Sequence, residues 1–489
     1  LSPTNNEALP GLTKTMDVTV YGSDGYDYFN LNVDRTDDYT GNWTLSLGAG
    51  NDSLGAAALI NGDSVDMGAG DDSVALMINS HTPTVANLNL VKLDGGAGSD
   101  WLDFLNFTNT AEISLSTGGA TNFENISGSG GSETIKGDAN ANILTGAGGT
   151  DILYGYAGDD VLAGSYRGTT TLSQVANWDF DTYPWNNDYI TGNNTLYGGA
   201  GDDKLYGGYY DDTLDGGTGT DTLSGGNGND TFIIRTGDGS TTLADANVIT
   251  DFSDGTDVIG LDNDLAFSQL TIAQGTGAYA SHTLVSVTAT GEYLLIIQNT
   301  TVSNITAADF SSTSTDPQTF TGTSGNDVFV GGAGNDTFNG AAGSDELYGH
   351  GGNDTFNINS KSGAFTDIVV GGSGTDTLDI DYTGVDSLSD FTISYDSTND
   401  YIVLTDANGG VIKFKDIENL TVGNYAYTRL QVDNDNAYAD AYWNATEAIL
   451  YLWDGNGSSS ISNVLSPTNN EALPGLTKTM DVTVYGSDG

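Results

Sequence analysis

Cysteine is absent from the 489 residues, so neither disulfides nor thiolate metal sites hold this chain together. Basic residues are scarce: 12 Lys and Arg stand against 66 acids, for a formal charge of -54. That balance excludes nucleic acid and anionic bilayers as natural partners and points to cations or to a solvated surface. No apolar run approaches the ~18–20 residues that would insert in a membrane, and Leu1 does not open a signal peptide with a basic start and apolar middle. Only three His exist, His81, His282 and His350, and no H-E-x-x-H helix, G-x-S-x-G elbow or phosphate-cradling G-x-x-x-x-G-K-[ST] loop is present. With so many Asp placed in turns, carboxylate pairs carry no signal for glycoside hydrolysis, and the chain reads as no enzyme. Proline is limited to seven residues, while 25 Tyr, 16 Phe and 6 Trp are too many for a solvated tail, so an ordered chain is expected.

The sequence has an excess of Gly, 68 residues, and of Asp, 57 of the 66 acids. Solubility alone would be served equally by Glu; Asp is the turn-forming and hard-cation-ligating carboxylate. Both residues fall in a nine-residue period. From Gly198 the chain reads GGAGDDKLY, GGYYDDTLD, GGTGTDTLS, GGNGNDTFI, of the form G-G-x-G-x-D-x-U-x with U large and apolar. GSGGSETIK, GDANANILT, GAGGTDILY and GYAGDDVLA fill 128–163, and GTSGNDVFV, GGAGNDTFN, GAAGSDELY and GHGGNDTFN fill 322–357. Isolated copies are GSDGYDYFN (22–30), LGAGNDSLG (47–55), MGAGDDSVA (67–75), GGAGSDWLD (95–103) and GGSGTDTLD (371–379).

These twelve contiguous copies in three registered blocks resemble the RTX, or hemolysin-type, calcium-binding nonapeptide repeat of proteins exported by type I secretion. The resemblance implies that each nonapeptide makes a turn and a short strand, and that two make one coil of a right-handed parallel β-roll. The segment ANVITDFSDGTDVIGL (246–261) is similar to the one that succeeds such rolls in the family. The residues fit that geometry: Gly supplies backbone of positive φ that can approach an ion closely, sixth-place Asp supplies a carboxylate, and the eighth-place residue (Leu205, Leu214, Leu223, Phe232; Phe329, Phe338, Leu347, Phe356) points inward. One apolar side chain in nine is a thin core, and rows of Asp repel one another, so cohesion has to come from a cation between the turns.

Hard oxygen ligands in flexible turns, with no His or Cys nearby, select Ca²⁺ over Zn²⁺ or Cu²⁺, and Mg²⁺ would demand a tighter octahedron. The candidate ligands in the blocks are Asp151, Asp160, Asp203, Asp212, Asp221, Asp230, Asp327, Asp336, Asp345 and Asp354; in the isolated copies they are Asp27, Asp52, Asp72, Asp100 and Asp376. The resemblance implies ions held between turns 18 residues apart, pairing Asp203 with Asp221, Asp212 with Asp230, Asp327 with Asp345 and Asp336 with Asp354. The first block carries Glu133 and Asn142 in sixth places. Tyr210 and His350 replace fourth- and second-place Gly, which predicts altered turns there. Without an ion, the same Asp would serve only as turn caps and surface charge.

The predicted fold is all-β: parallel β-roll or β-solenoid blocks with flanking antiparallel segments. Residues 1–127 read as an irregular solenoid of wider coils, 128–233 as a β-roll interrupted at 164–194, 234–320 as a β flank, 321–379 as a second roll, and 380–464 as a flank and connector. The interruption carries Trp178, Phe180, Tyr183, Trp185 and Tyr189, either a glycan- or partner-contacting loop or a cluster packed on the roll. DNDNAYAD (433–440) begins like an EF-hand loop, but Ala437 and Tyr438 occupy the places of a ligand and the turn Gly, which leaves a plain loop. The stretch 437–453 fits one helix or two strands.

Residues 1–25 recur letter for letter at 465–489, an offset of 464. This predicts one period of a giant tandem array, with 465–489 as the start of the next repeat. Neighbouring repeats would be the main partners. The expected role is an extracellular or cell-surface filament, matrix or surface-layer component stiffened by Ca²⁺ at sites of extracellular strength, ~10⁻⁴–10⁻³ M. The alternatives are the stalk or glycan-binding portion of a large adhesin, or the non-catalytic portion of a secreted enzyme.

Overall fold

A nine-residue repeat with one apolar position has room for one tight turn and a three-residue strand whose middle side chain faces inward. Thr134–Lys136, Ile143–Thr145 and Val161–Ala163 are such strands. In the computed structural model the described residues are 17–30, 41–55, 59–76, 90–104, 112–165, 192–263, 265–396, 398–434, 437–444, 449–454 and 483–486. They form two compact units, Leu1–Ile259 with Thr271–Ile305, and Gly260–Leu270 with Thr306–Gly489.

Parallel strands dominate the first unit. Successive nonapeptides alternate between two faces, and each strand pairs with the one a full coil later. In one sheet the eighth-place side chains form a single column: Phe29 opposite Leu54, then Val74, Leu102, Ile126, Leu144, Leu162, Leu205, Leu223 and Ile249. From Leu54 to Ile249 every member is buried. The isolated copies of 22–103 and the contiguous copies of 128–232 therefore belong to one unbroken stack, whose coils only widen toward its start. The opposite face carries a second column, Ile113, Ile135, Leu153, Leu196, Leu214 and Phe232.

The interruption at 164–194 does not break the stack. Val161–Ala163 pairs in register with Lys204–Tyr206, and Ile152–Tyr154 with Thr195–Tyr197, so the strands before and after it are direct neighbours. Its five aromatic residues lie outside the described residues.

In the second unit the columns are Phe320, Phe338, Phe356, Leu378 and Leu420 on one face, and Phe329, Leu347, Val369 and Phe414 on the other. The rings of Phe320, Phe338 and Phe356 stack with centroids 4.8 Å apart, the spacing of neighbouring strands.

Antiparallel segments finish each unit, as the alternation of β-branched and polar residues predicts. Thr283–Val287 and Tyr293–Ile297 form a hairpin whose second strand pairs in parallel with Asn247–Ile249. Phe391–Asp396, Tyr401–Asp406 and Val411–Lys415 form a meander that joins the second roll through Thr366–Val370. Such caps cover edges that would otherwise template pairing with other chains. The ambiguous stretch 437–453 holds two strands, Ala437–Asn444 and Ile449–Asp454. DNDNAYAD is not a plain loop: Asp433 pairs with Tyr438 and Asn434 with Ala437 near the tip of a hairpin.

Candidate metal centres

The turn 216–221, GGTGTD, explains the spacing of its glycines. A Cβ at Gly216 would lie 2.3 Å from Oδ2 of Asp221 in its own turn. Gly217 (φ +88°) and Gly219 (φ +138°) take the left-handed region, and there a Cβ would meet the carbonyl oxygens of Gly199 and Gly201, one coil earlier, at 2.1 and 1.9 Å. Glycine at places one, two and four thus lets a carboxylate and successive turn carbonyls crowd into one narrow channel. Tyr210 and His350 do not alter this arrangement: both adopt positive φ, +73° and +69°, and their carbonyls face Gly228 and Gly372 as a glycine's would.

Sixth-place residues run down each face as a ladder. Asp203 N–H donates to Oδ1 of Asp221 and Asp212 N–H to Oδ1 of Asp230, both at 2.9 Å; Asp327 donates to Asp345 at 3.0 Å and Asp336 to Asp354 at 2.7 Å. The same bond joins the isolated copies across wider coils, from Asp27 to Asp52, Asp52 to Asp72 and Asp72 to Asp100, at 2.6–2.7 Å. Asp160 reaches Asp203 across the interruption at 2.7 Å, and Asp354 reaches Asp376 at 2.8 Å. Every Asp singled out by the nonapeptide pattern stands in such a ladder.

Each ladder uses one carboxylate oxygen. The other, Oδ2, is buried without a hydrogen-bond partner in Asp52, Asp72, Asp100, Asp151, Asp160, Asp203, Asp212, Asp221, Asp230, Asp354 and Asp376. Four candidates differ. Asp27, Asp327 and Asp336 accept there from backbone N–H groups of their own turns, Ser23, Thr323 and Gly332, and Asp345 accepts from Lys361.

Burial without a counter-charge pushes these carboxyls up: Asp151 and Asp212 to about 8, Asp221, Asp230, Asp160, Asp100 and Asp354 to about 7, and Asp72, Asp203 and Asp376 to about 6. In each case desolvation is the largest cause, the ladder N–H opposes it, and neighbouring acids add to it. For Asp151 the repelling neighbour is Glu133, for Asp212 it is Asp230, and for Asp221 it is Asp203. Orphaned buried carboxylate oxygens beside rows of carbonyls make a donor set that suits a hard divalent cation. Among the described residues no three His, Cys, Asp or Glu side chains converge on a point, so sixth-place carboxylates and turn carbonyls would hold the ion together.

The nonapeptide pattern missed several ladder members. Asn194 accepts from Asp151 N–H at 3.0 Å and passes the chain on to Asp212; its turn, YITGNN, keeps only Gly192 of the three glycines. Asn247 and Asp257, in the segment after the second block, each extend one ladder by a step. Glu124, Gln318, Asp367 and Glu418 also stand in the rows. Asp63 serves the opposite face near the start, accepting from Trp43 N–H at 2.7 Å. Fifth-place residues form a further ladder outside the first: Thr220 N–H donates to Asp202, Asn229 to Asp211, Ser344 to Asn326 and Asn353 to Asn335. The frequent Asn and Asp at that place were the signal for it.

A family model for the RTX calcium-binding nonapeptide repeat, four copies long, matches residues 127–162, 191–209, 197–232, 206–240, 321–356 and 362–379. The chain carries RTX calcium-binding nonapeptide repeats. The match at 191–209 takes in the turn of Asn194, and that at 362–379 the turn of Asp367. No helix among the described residues is long and apolar enough to cross a membrane. No curated protein matches the chain in sequence. Among solved structures, the extracellular lipase LipA from Serratia marcescens aligns at 15% identity over 71% of this chain and 43% of that chain, with a TM-score of 0.14, too low to carry an argument.

Proposed function

We propose that this protein is a non-catalytic building unit of an extracellular filament, matrix or surface layer, in which neighbouring repeats of the same sequence are its partners and Ca²⁺ between the turns supplies stiffness. The observation that carries the reading is a strand pairing. Thr483–Gly486 lies parallel to Ile449–Asp454, with Ile449 opposite Thr483 and Leu452 opposite Gly486. Residues 483–486 repeat the sequence of 19–22, which lies in and beside the strand Val18–Tyr21 at the edge of the first unit's five-stranded sheet. In a tandem array the last strand of one repeat would pair with the first strand of the following one and carry the sheet across the junction. Stacked modules joined in this way have quasi-one-dimensional stability.

Electron microscopy of a chain of two consecutive repeats, with calcium and with chelator, tests the proposal. Thin continuous fibres that lose order in chelator are the expected result; separate globules under both conditions would refute it.

A further inference from the structure

Two coils of the second roll are longer than the others. Asp345 and Asp367 are 22 residues apart, as are Asp354 and Asp376, where the regular coil has 18. The extra residues fall in 359–365, NSKSGAF, between the strands Thr355–Ile358 and Thr366–Ser373. Here the ion-wrapping turn is lost: Phe365 stands two residues before Asp367, where the pattern puts its fourth-place Gly.

Lys361 from this segment runs inward until its side chain is fully buried. Its ammonium lies 2.5 Å from Oδ2 of Asp345, 3.0 Å from Oδ1 of Asp367 and 3.1 Å from the carbonyl of Gly343, and 5.3 Å from the centroid of the Phe365 ring. Gly343 is the fourth-place glycine of the Asp345 turn. Three N–H donors thus meet three oxygens: two sixth-place carboxylates from successive turns and one turn carbonyl. Oδ2 of Asp345 is the same oxygen that lacks a partner in Asp203, Asp212, Asp221 and Asp230.

We infer that Lys361 is a tethered cation that stands in for calcium between the Asp345 and Asp367 turns, giving the second roll one interval whose cohesion does not depend on the metal. The donor set is that of the neighbouring intervals, while the charge comes covalently with the chain. A buried ammonium held by two carboxylates cannot leave when calcium falls, and loss of either partner would strand a charge in the interior. This interval would persist in low calcium and serve as the template on which the adjoining coils refill. The inference rests on the calcium-binding repeats and stands whether or not the protein forms filaments.

The test uses the full chain and its Lys361→Ala variant, with bound calcium counted by equilibrium dialysis at saturation and backbone protection read by hydrogen exchange. The variant is expected to bind one more ion per chain. In chelator, the wild-type amides of 343–348 and 366–370 should stay protected while those of 213–233 exchange; the variant should lose that protection and regain it with calcium. Equal stoichiometry in the two proteins overturns the inference. So does wild-type protection at 343–370 that vanishes in chelator together with the rest of the roll, a measurement that holds even if the variant does not fold.

Discussion

With calcium chelated, the stability of the first roll should fall as pH rises through neutrality, the reverse of ordinary acid denaturation. Asp151 and Asp212, essentially inaccessible to solvent, have carboxyls pushed from 3.8 up to about 8, and Asp221 to about 7. A folded-state value above the unfolded one means that the folded chain holds more protons between pH ~4 and ~8, so stability declines across that window as pH rises. At about 1.4 kcal/mol per tenfold change in proton affinity, ionising Asp151 or Asp212 costs roughly 6 kcal/mol each and Asp221 roughly 4. Together they equal or exceed the ~5–15 kcal/mol that holds an ordinary domain folded. A metal-free roll therefore has to keep these carboxyls protonated or come apart.

The assay is far-UV circular dichroism and thermal melting in chelator from about pH 5 to about pH 8.5, repeated in saturating calcium. In chelator the melting temperature should fall across the scan from about pH 5 up to about pH 8, where the raised values are reached, and the β signal should be lost toward the upper end. In calcium the dependence should flatten or change sign, since raising the pH removes the competing protons and lets the ion bind more tightly. Melting curves in chelator that are superimposable across this range would refute the reasoning, because they would mean that the buried oxygens bear no uncompensated charge.

Replacing Asp221 by Asn should give effects of opposite sign in the two conditions. Asn keeps the oxygen that accepts the Asp203 N–H but removes the charge, so thermal melts should show stabilisation by about 1–3 kcal/mol in chelator, while calorimetry finds weaker calcium binding. Gly219→Ala should destabilise by roughly 2–4 kcal/mol through the clash with the Gly201 carbonyl and the strained φ. Gly237→Ala, also at positive φ but with open space around its Cβ position, should cost only about 1 kcal/mol, and comparing the two melts separates clash from strain.

The contiguous blocks were legible because period, turn and strand coincide within nine residues. Leu205, Leu214, Leu223 and Phe232 are buried where the eighth place puts them. Less legible was that Asp27, Asp52, Asp72 and Asp100 stack on the same face as Asp160 and Asp203: coils of 25, 20 and 28 residues erase the period, while the ladder bond keeps its length. Asn194 was hidden for the same reason, lying 43 residues from its partner Asp151 behind the aromatic interruption.

Lys361 was illegible for a different reason. Its carboxylate partners sit 16 residues before it and 6 after, a pairing that no local motif encodes. The nonapeptide pattern records the joint demands of ion and ladder, and wherever only the ladder has to be satisfied the sequence is free to drift. Asn194 and Asn247 each keep the accepting oxygen and give up the charge. Strict Asp should therefore mark intervals that hold a cation, calcium or, between Asp345 and Asp367, the Lys361 ammonium, and Asn those that need only a rung. An ion-binding row interleaved with neutral rungs also lowers the repulsion between successive acids, which is how a chain with a formal charge of -54 can stack its carboxylates coil upon coil.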